Sequence, residues 1–242
     1  MNIYIAGGEK RIEMFEAVRP PRILLSYYYV SDEIMAYAKT AKEYILDSGA
    51  FTYLNTGKSV DFDSYTDGYI EFINANKVKQ FIELDIDAIV GLDKVESLRR
   101  RIERRTGRQC IPVFHRSRGK DYFVDMCKEY EYIALGGIAI KDIKRAEYKY
   151  FRWFIDTAHS YGTRIHGLGL TDFKALKQFD FDSVDSTSWI GSRYGNLYRY
   201  DNGNLRMLRS PKNSRMTLHW KTCDEMNLRE WVKYVKYAER FM

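Results

Sequence analysis

Acidic and imidazole side chains recur at one kind of place in this chain, at or just beyond the end of a short apolar run. Asp47 closes EYILD, Asp85 and Asp87 close FIELDID, and His115 follows IPVF. Gly136 and Gly137 follow YIAL, His166 and Gly167 lie in RIHGL, and Asp185 closes DSVD. Two carboxylates on separate segments can divide glycosidic chemistry: one stays ionised and attacks the anomeric carbon, the other carries the proton of the leaving group. No lysine ends any of these runs, which counts against a Schiff-base enzyme. No His-x-His, His-x-x-x-His or Cys-x-x-Cys spacing is present, and Cys110, Cys127 and Cys223 are scattered. His219 and Cys223 together supply two ligands at most. The expectation is therefore carboxylate chemistry with no metal and no cofactor.

Such residues need elements that bring them together. The sequence reads as eight strands: Ile3–Ala6, Ile23–Tyr28, Tyr44–Leu46, Phe81–Ile86, Cys110–Phe114, Tyr132–Leu135, Arg164–Leu168 and Ser183–Asp185. Each is short and apolar, as buried parallel strands are. Amphipathic helical patterns alternate with them. One is capped by Ser31 and runs through Lys42; another carries the stripe Val95, Leu98, Ile102, with Arg99, Arg100, Arg101, Arg104 and Arg105 on its other faces. A third carries Phe151, Phe154, Ile155 and Ala158. Eight alternations without a Gly/Pro-rich linker predict a single α/β domain over 1–242, a closed (β/α)8 TIM barrel, with the site at the C-terminal ends of its strands. An open doubly wound sheet is the alternative, though the first turn lacks G-x-G-x-x-G. After Asp185 the pattern breaks. Residues 194–226 read as a basic hairpin insertion turning at Asn202-Gly203, and a last helix spans about 228–241, with Trp231, Tyr234, Val235 and Ala238 inward.

Four segments resemble motifs of the tRNA-guanine transglycosylases, in that family's order: LDSGAF at 46–51, ALGGIA at 134–139, IHGLG at 165–169 and DSVDSTSW at 182–189. The resemblance implies that Asp185 is the nucleophile at C1′ and Asp47 the general acid and base. It implies that Asp85, with Asp87 as a register alternative, reads the guanine edge. Backbone groups of Gly136 and Gly137 would contact the base, and Phe51 and His166 would sandwich it. The family's Gln on the fifth strand is here His115, and its stacking Met is His166, so the incoming base is left open. The family's cysteine-rich zinc motif is absent. The chain is more similar to the compact phage-type relatives that place 7-deazaguanines, such as 7-cyano-7-deazaguanine (preQ0), into DNA.

The implied activity is a pentosyltransferase that exchanges guanine in DNA for a free 7-deazaguanine base. The alternatives are action on tRNA, a non-catalytic nucleic-acid-binding subunit of the same fold, and an enzyme acting on a small sugar or nucleoside. Charge agrees with a polyanionic partner: +6 overall, with a pI near 9.0. Arg193, Arg199, Arg206 and Arg209 interleave with Tyr198, Tyr200 and Trp220, a pattern suited to an unstacked strand; a hairpin that merely closes the fold is the plainer reading. No apolar run is long enough for a membrane span. With no secretory signal at the N-terminus, the sequence predicts a cytoplasmic protein, in the host cytoplasm if phage-encoded. A homodimer or a partner subunit remains open.

Overall fold

Seven strands align in parallel: β1 (Asn2–Ala6), β2 (Arg22–Ser26), β3 (Glu43–Asp47), β4 (Val113–Phe114), β5 (Tyr132–Leu135), β6 (Arg164–Gly167) and β7 (Ser183–Ser186), in the order β3-β2-β1-β7-β6-β5-β4. This computed structural model describes residues 1–50, 52, 61–140, 142–209 and 218–242, without the side chains of Arg193 and Arg209. Strand alternation sorts the side chains to two faces. Ile3, Ile5, Ile23, Leu25, Leu135 and Val184 pack against the helices, whereas Tyr4, Ala6, Leu24, Ile45, Val113 and Ala134 form a smaller cluster on the concave face.

The closed eight-stranded barrel is not what forms. The sheet is an open half-barrel whose edges stand 11 Å apart. The expected strand at Phe81–Ile86 fails for a local reason. Residues 80–83 do lie between β3 and the approach to β4, but only as isolated bridges from Phe81 to Leu46 and from Ile82 to Ile111. The next donor across the gap, the Val113 N–H, goes to the Glu83 side chain (2.7 Å) instead of a backbone carbonyl. Beyond it the chain turns, with the Ile86 N–H bonded to Leu84 O. A carboxylate thus stands where the ladder would continue. The neighbouring Cys110–Phe114 run shortens with it, to Val113–Phe114.

The helices described in full are α1 (Ile12–Val18), α2 (Asp32–Ala38), α3 (Phe62–Asn76), α4 (Asp87–Val90), α5 (Leu92–Thr106), α6 (Lys120–Glu129), α7 (Phe151–Ser160), α8 (Phe173–Gln178) and α9 (Trp220–Phe241). Ser31 caps α2, its Oγ accepting from the Ile34 N–H, although the helix ends at Ala38 rather than Lys42. α9 begins at Trp220, eight residues before its expected start, and buries Trp231, Tyr234, Val235 and Ala238. No described helix is long and apolar enough to cross a membrane.

The hairpin consists of β8 (Asn196–Asp201) and β9 (Asn204–Arg209). Asn202 and Gly203 both take positive φ (42° and 77°), as a tight type I′ turn requires. Its position is informative. α9 runs along β8, with Asn227 and Glu230 accepting from the Tyr198 and Tyr200 N–H groups at 2.8 and 2.7 Å. The tip reaches Tyr237 through Gly203 and Lys177 of α8 through Asn204. Glu239, half a turn beyond Tyr237, binds Arg22 at the start of β2. The tip therefore points toward the N-terminal ends of the strands, and the hairpin fills a place in the helix layer.

Candidate active site

Strand register gathers the acids on the concave face at the C-terminal ends. Asp185 pairs in register with Tyr4, and Asp47 with Ser26, so both carboxylates stand at the same end of the sheet. Asp185 is 7% exposed. Its Oδ1 accepts from the Gly169 N–H at 2.6 Å and bonds to His166 Nε2 at 3.2 Å. His166 Nδ1 meets Ser183 Oγ at 2.6 Å, and Ser183 Oγ in turn bonds to Tyr132 OH. One direction satisfies the whole chain: Tyr132 donates to Ser183, Ser183 to Nδ1, and Nε2–H to the carboxylate. In that order the Nε2 proton is aimed at Asp185.

Both of these Asp185 bonds fall on Oδ1, so they hold the carboxylate without engaging Oδ2. His166 itself is fully buried, with Tyr4 and Tyr132 edge-on to its ring at 6.0 and 6.4 Å. No face of the imidazole is open to stack on a base. The structure places it behind the nucleophile candidate. Phe51, the other half of the expected sandwich, lies outside the described residues.

Asp47 sits in a different field. Burial pushes its carboxyl up to about 7; one bond, from the Gly49 N–H, works the other way, and Asp85, Asp185 and Glu9 add to the rise. An acid tuned to neutral pH can give and take a proton there. Glu9, itself raised by burial, accepts from the Ser26 N–H at 2.7 Å.

Across the mouth, Asp85 Oδ1 and His115 Nε2 are 2.6 Å apart. Burial disfavours the charged ring, yet the Asp85 bond and the nearby Asp87 carboxylate hold His115 above its ordinary value. Gly136 makes this packing possible, since a Cβ there would stand 2.8 Å from His115 Cε1 and 2.7 Å from Val113 Cγ1. The Gly136 N–H is engaged by Phe114 O, and the Gly137 carbonyl by the Ile143 N–H. Among the described residues, Asp85, Asp87 and His115 are the grouping that could hold a metal, with one ligand atom each inside 4.8 Å of the others. All three already have protein partners, Asp87 through Arg118 Nε at 2.9 Å.

Three residues around this site were missed in the sequence, and one of them, Arg99, expected on the outer faces of its helix, is buried. Glu83 is fully buried between Arg99 (3.6 Å) and Arg118 (3.7 Å), and burial pushes its carboxyl up to about 7 against the pull of both guanidiniums. Arg99 and Arg118 have side chains only 2% exposed. Arg99 had the clearer signal: it sits four residues after Val95 and three before Ile102, on the apolar stripe of α5. Arg118 resembled a solvated loop cation beside Arg116, which does lie on the surface, paired with Asp142 and Glu147.

Two of the expected nucleic-acid residues lie on the hairpin, away from the mouth. Arg199 and Arg206 are exposed in mid-hairpin on the outer wall. Of Arg193 and Arg209 only the backbone is described. Two clefts, of about 720 Å³ beside the hairpin and about 370 Å³ just after β7, are not lined by Asp47 or Asp185.

The chain matches no model of a known protein family and no curated protein sequence.

Proposed function

We propose that this protein is a base-exchange transglycosylase that replaces guanine in a nucleic acid with a 7-deazaguanine through an aspartyl–sugar ester. The observation that carries the reading is the mounting of Asp185. One carboxylate oxygen is held by a backbone N–H and a buried imidazole, and the acid Asp47, raised to about 7, stands at the same end of the sheet. Motif order in the sequence adds to this support.

In the proposed reaction Oδ2 of Asp185 attacks C1′ and the C1′–N9 bond breaks. Asp47, protonated, gives its proton to the departing guanine. The incoming base then loses its N9 proton to the Asp47 carboxylate, attacks C1′ from the opposite face and expels Asp185. Two inversions give net retention. The target nucleotide must be flipped or single-stranded, because a stacked base hides C1′. The His115–Asp85 pair offers a carboxylate and a ring N–H to the polar edge of the base. DNA is favoured over tRNA on the resemblance to the compact phage-type relatives.

The test is release of labelled guanine from DNA and from tRNA in the presence of 7-cyano-7-deazaguanine, with Asp185→Ala as control. Release from DNA by the native protein alone agrees with the reading, and release from tRNA alone moves the substrate. Silence on both, with folded protein, removes it.

A further inference from the structure

The outer wall carries an arrangement that the mouth chemistry leaves unexplained. Arg199 and Arg206 are directly opposed in the antiparallel ladder, on the face of the hairpin that also carries the opposed pair Leu197 and Leu208. The other face packs inward, with Tyr198 against Trp231 and Leu205 buried. Like charges directly across a ladder repel. Among the described residues neither guanidinium has an acid within salt-bridge distance, although surface arginines elsewhere, such as Arg101, Arg105 and Arg229, are paired.

Beside this pair runs the cleft of about 720 Å³, which the exposed stripe of α9 continues with Arg229, Lys233 and Lys236. Its apolar lining includes Leu208 and Met226, each 47% exposed. The lining holds four cations and one acid, Glu230, which is engaged by the Tyr200 N–H and by Lys233 and lies within the field of Arg199 without pairing with it. Apolar walls lower the local dielectric and strengthen the field of the cations.

We infer that this face, formed by the hairpin and the exposed stripe of α9, is a second contact surface for the sugar–phosphate backbone of duplex DNA, outside the mouth. The inference rests on the reading of the substrate as nucleic acid. Charge selects the occupant. A second copy in a two-fold pairing would set this cationic face against its own image. A phosphodiester placed between Arg199 and Arg206 relieves their repulsion and gives each guanidinium an anion within salt-bridge distance. The contacts carry no sequence information; they hold duplex flanking the target while the nucleotide enters the mouth.

The experiment compares native protein with the double variant Arg199→Gln/Arg206→Gln. Binding of a short labelled DNA duplex is followed against salt, alongside guanine release on the same preparations. Both side chains are exposed, and a thermal melt verifies that the variant is folded. The expected result is about ten-fold weaker binding near 0.1 M salt and a log–log salt slope shallower by about two. Equal affinity and slope, with guanine release intact, would overturn the outer surface and leave the transglycosylase reading standing. No duplex binding by native protein overturns the surface, and guanine release then decides the fate of the wider reading. Arginine-dependent self-association in sedimentation, or Arg199/Arg206-dependent binding of polyglutamate without binding of DNA, would also overturn it.

Discussion

The Gly169 N–H lies 2.6 Å from Oδ1 of Asp185, and it can do so because Gly169 adopts φ +70° with its α-carbon turned toward Ala139. A Cβ at this position would stand 2.7 Å from the Ala139 Cβ, so the residue type and the carboxylate contact are linked. Gly169→Ala is expected to cost about 1–2 kcal/mol of stability through strain and contact. Guanine release should fall by at least about ten-fold, as one charge-assisted hydrogen bond is displaced. Thermal melting and label release measure the two effects separately; a stable variant with native turnover would deny Gly169 any part in holding Asp185.

Asp185→Asn keeps the shape of the side chain and its acceptor oxygen but cannot form the proposed ester. Turnover should drop by about three orders of magnitude or more, with little change in melting temperature. Intact-mass analysis of native protein with DNA and no incoming base should find an adduct, and the variant should show none. An adduct on the variant would move the nucleophile elsewhere.

The Asp47 carboxyl, raised to about 7, gives two signed pH effects. In the proposed reaction the acid form that releases guanine disappears as pH rises through about 7, so single-turnover release should decline about ten-fold per pH unit above that point. Asp47→Asn should be slow and lack this limb. Stability follows from the same shift. The folded protein holds the proton more tightly than the unfolded chain, so this group costs stability progressively as pH rises from about 4 to about 7. Because Asp47 is partly exposed, the cost is roughly 1–2 kcal/mol. Asp47→Asn should accordingly gain on native protein in melts taken across that window, and a difference that is constant from pH 4 to 8 would contradict the raised value.

Removing the Glu83 charge leaves Arg99 and Arg118 buried without it. Glu83→Gln is expected to lose about 3 kcal/mol at pH well above 7, where Glu83 is ionised, and less as pH falls through about 7; the full loss is roughly 6–12 °C for a domain of this size. Because the chain places Asp87 and His115 beyond Arg118, nucleobase affinity should weaken as well. Calorimetry and equilibrium binding of 7-cyano-7-deazaguanine check both; unchanged melting would show that the two guanidiniums are satisfied elsewhere.

How far the sequence could be read depended on whether a side chain's role was local. Asp47 and Asp185 end strands whose apolar pattern is plain, so their common placement followed from strand polarity. The Asn202-Gly203 turn was equally visible, because its chemistry lies in two residues. Three features were not legible. The Phe81–Ile86 run has strand composition, but its ladder is interrupted by a long-range contact, Glu83 to Val113, with no signature along the chain. His166 looked like a stacking residue, whereas pairing with Ser183 on the next strand buries it. The basic hairpin was legible as a hairpin, while the wall on which it lies was decided by α9, through Asn227 and Glu230.

The gap between β3 and β4 also sets where the molecule yields. Asp185 rides on β7, with β1 and β6 laddered to either side, and any movement there must break many bonds together. Asp47 rides on the edge strand β3, whose outer flank is held to residues 80–83 by one isolated bridge, Leu46 to Phe81. Local opening follows the sparser bonding, so the Ile82 and Ile111 amides should exchange with solvent hydrogen sooner than those at the centre of the sheet. Stiffness is thus unequal across the mouth: Asp185 is mounted on the rigid side, and Asp47 on the side that can breathe.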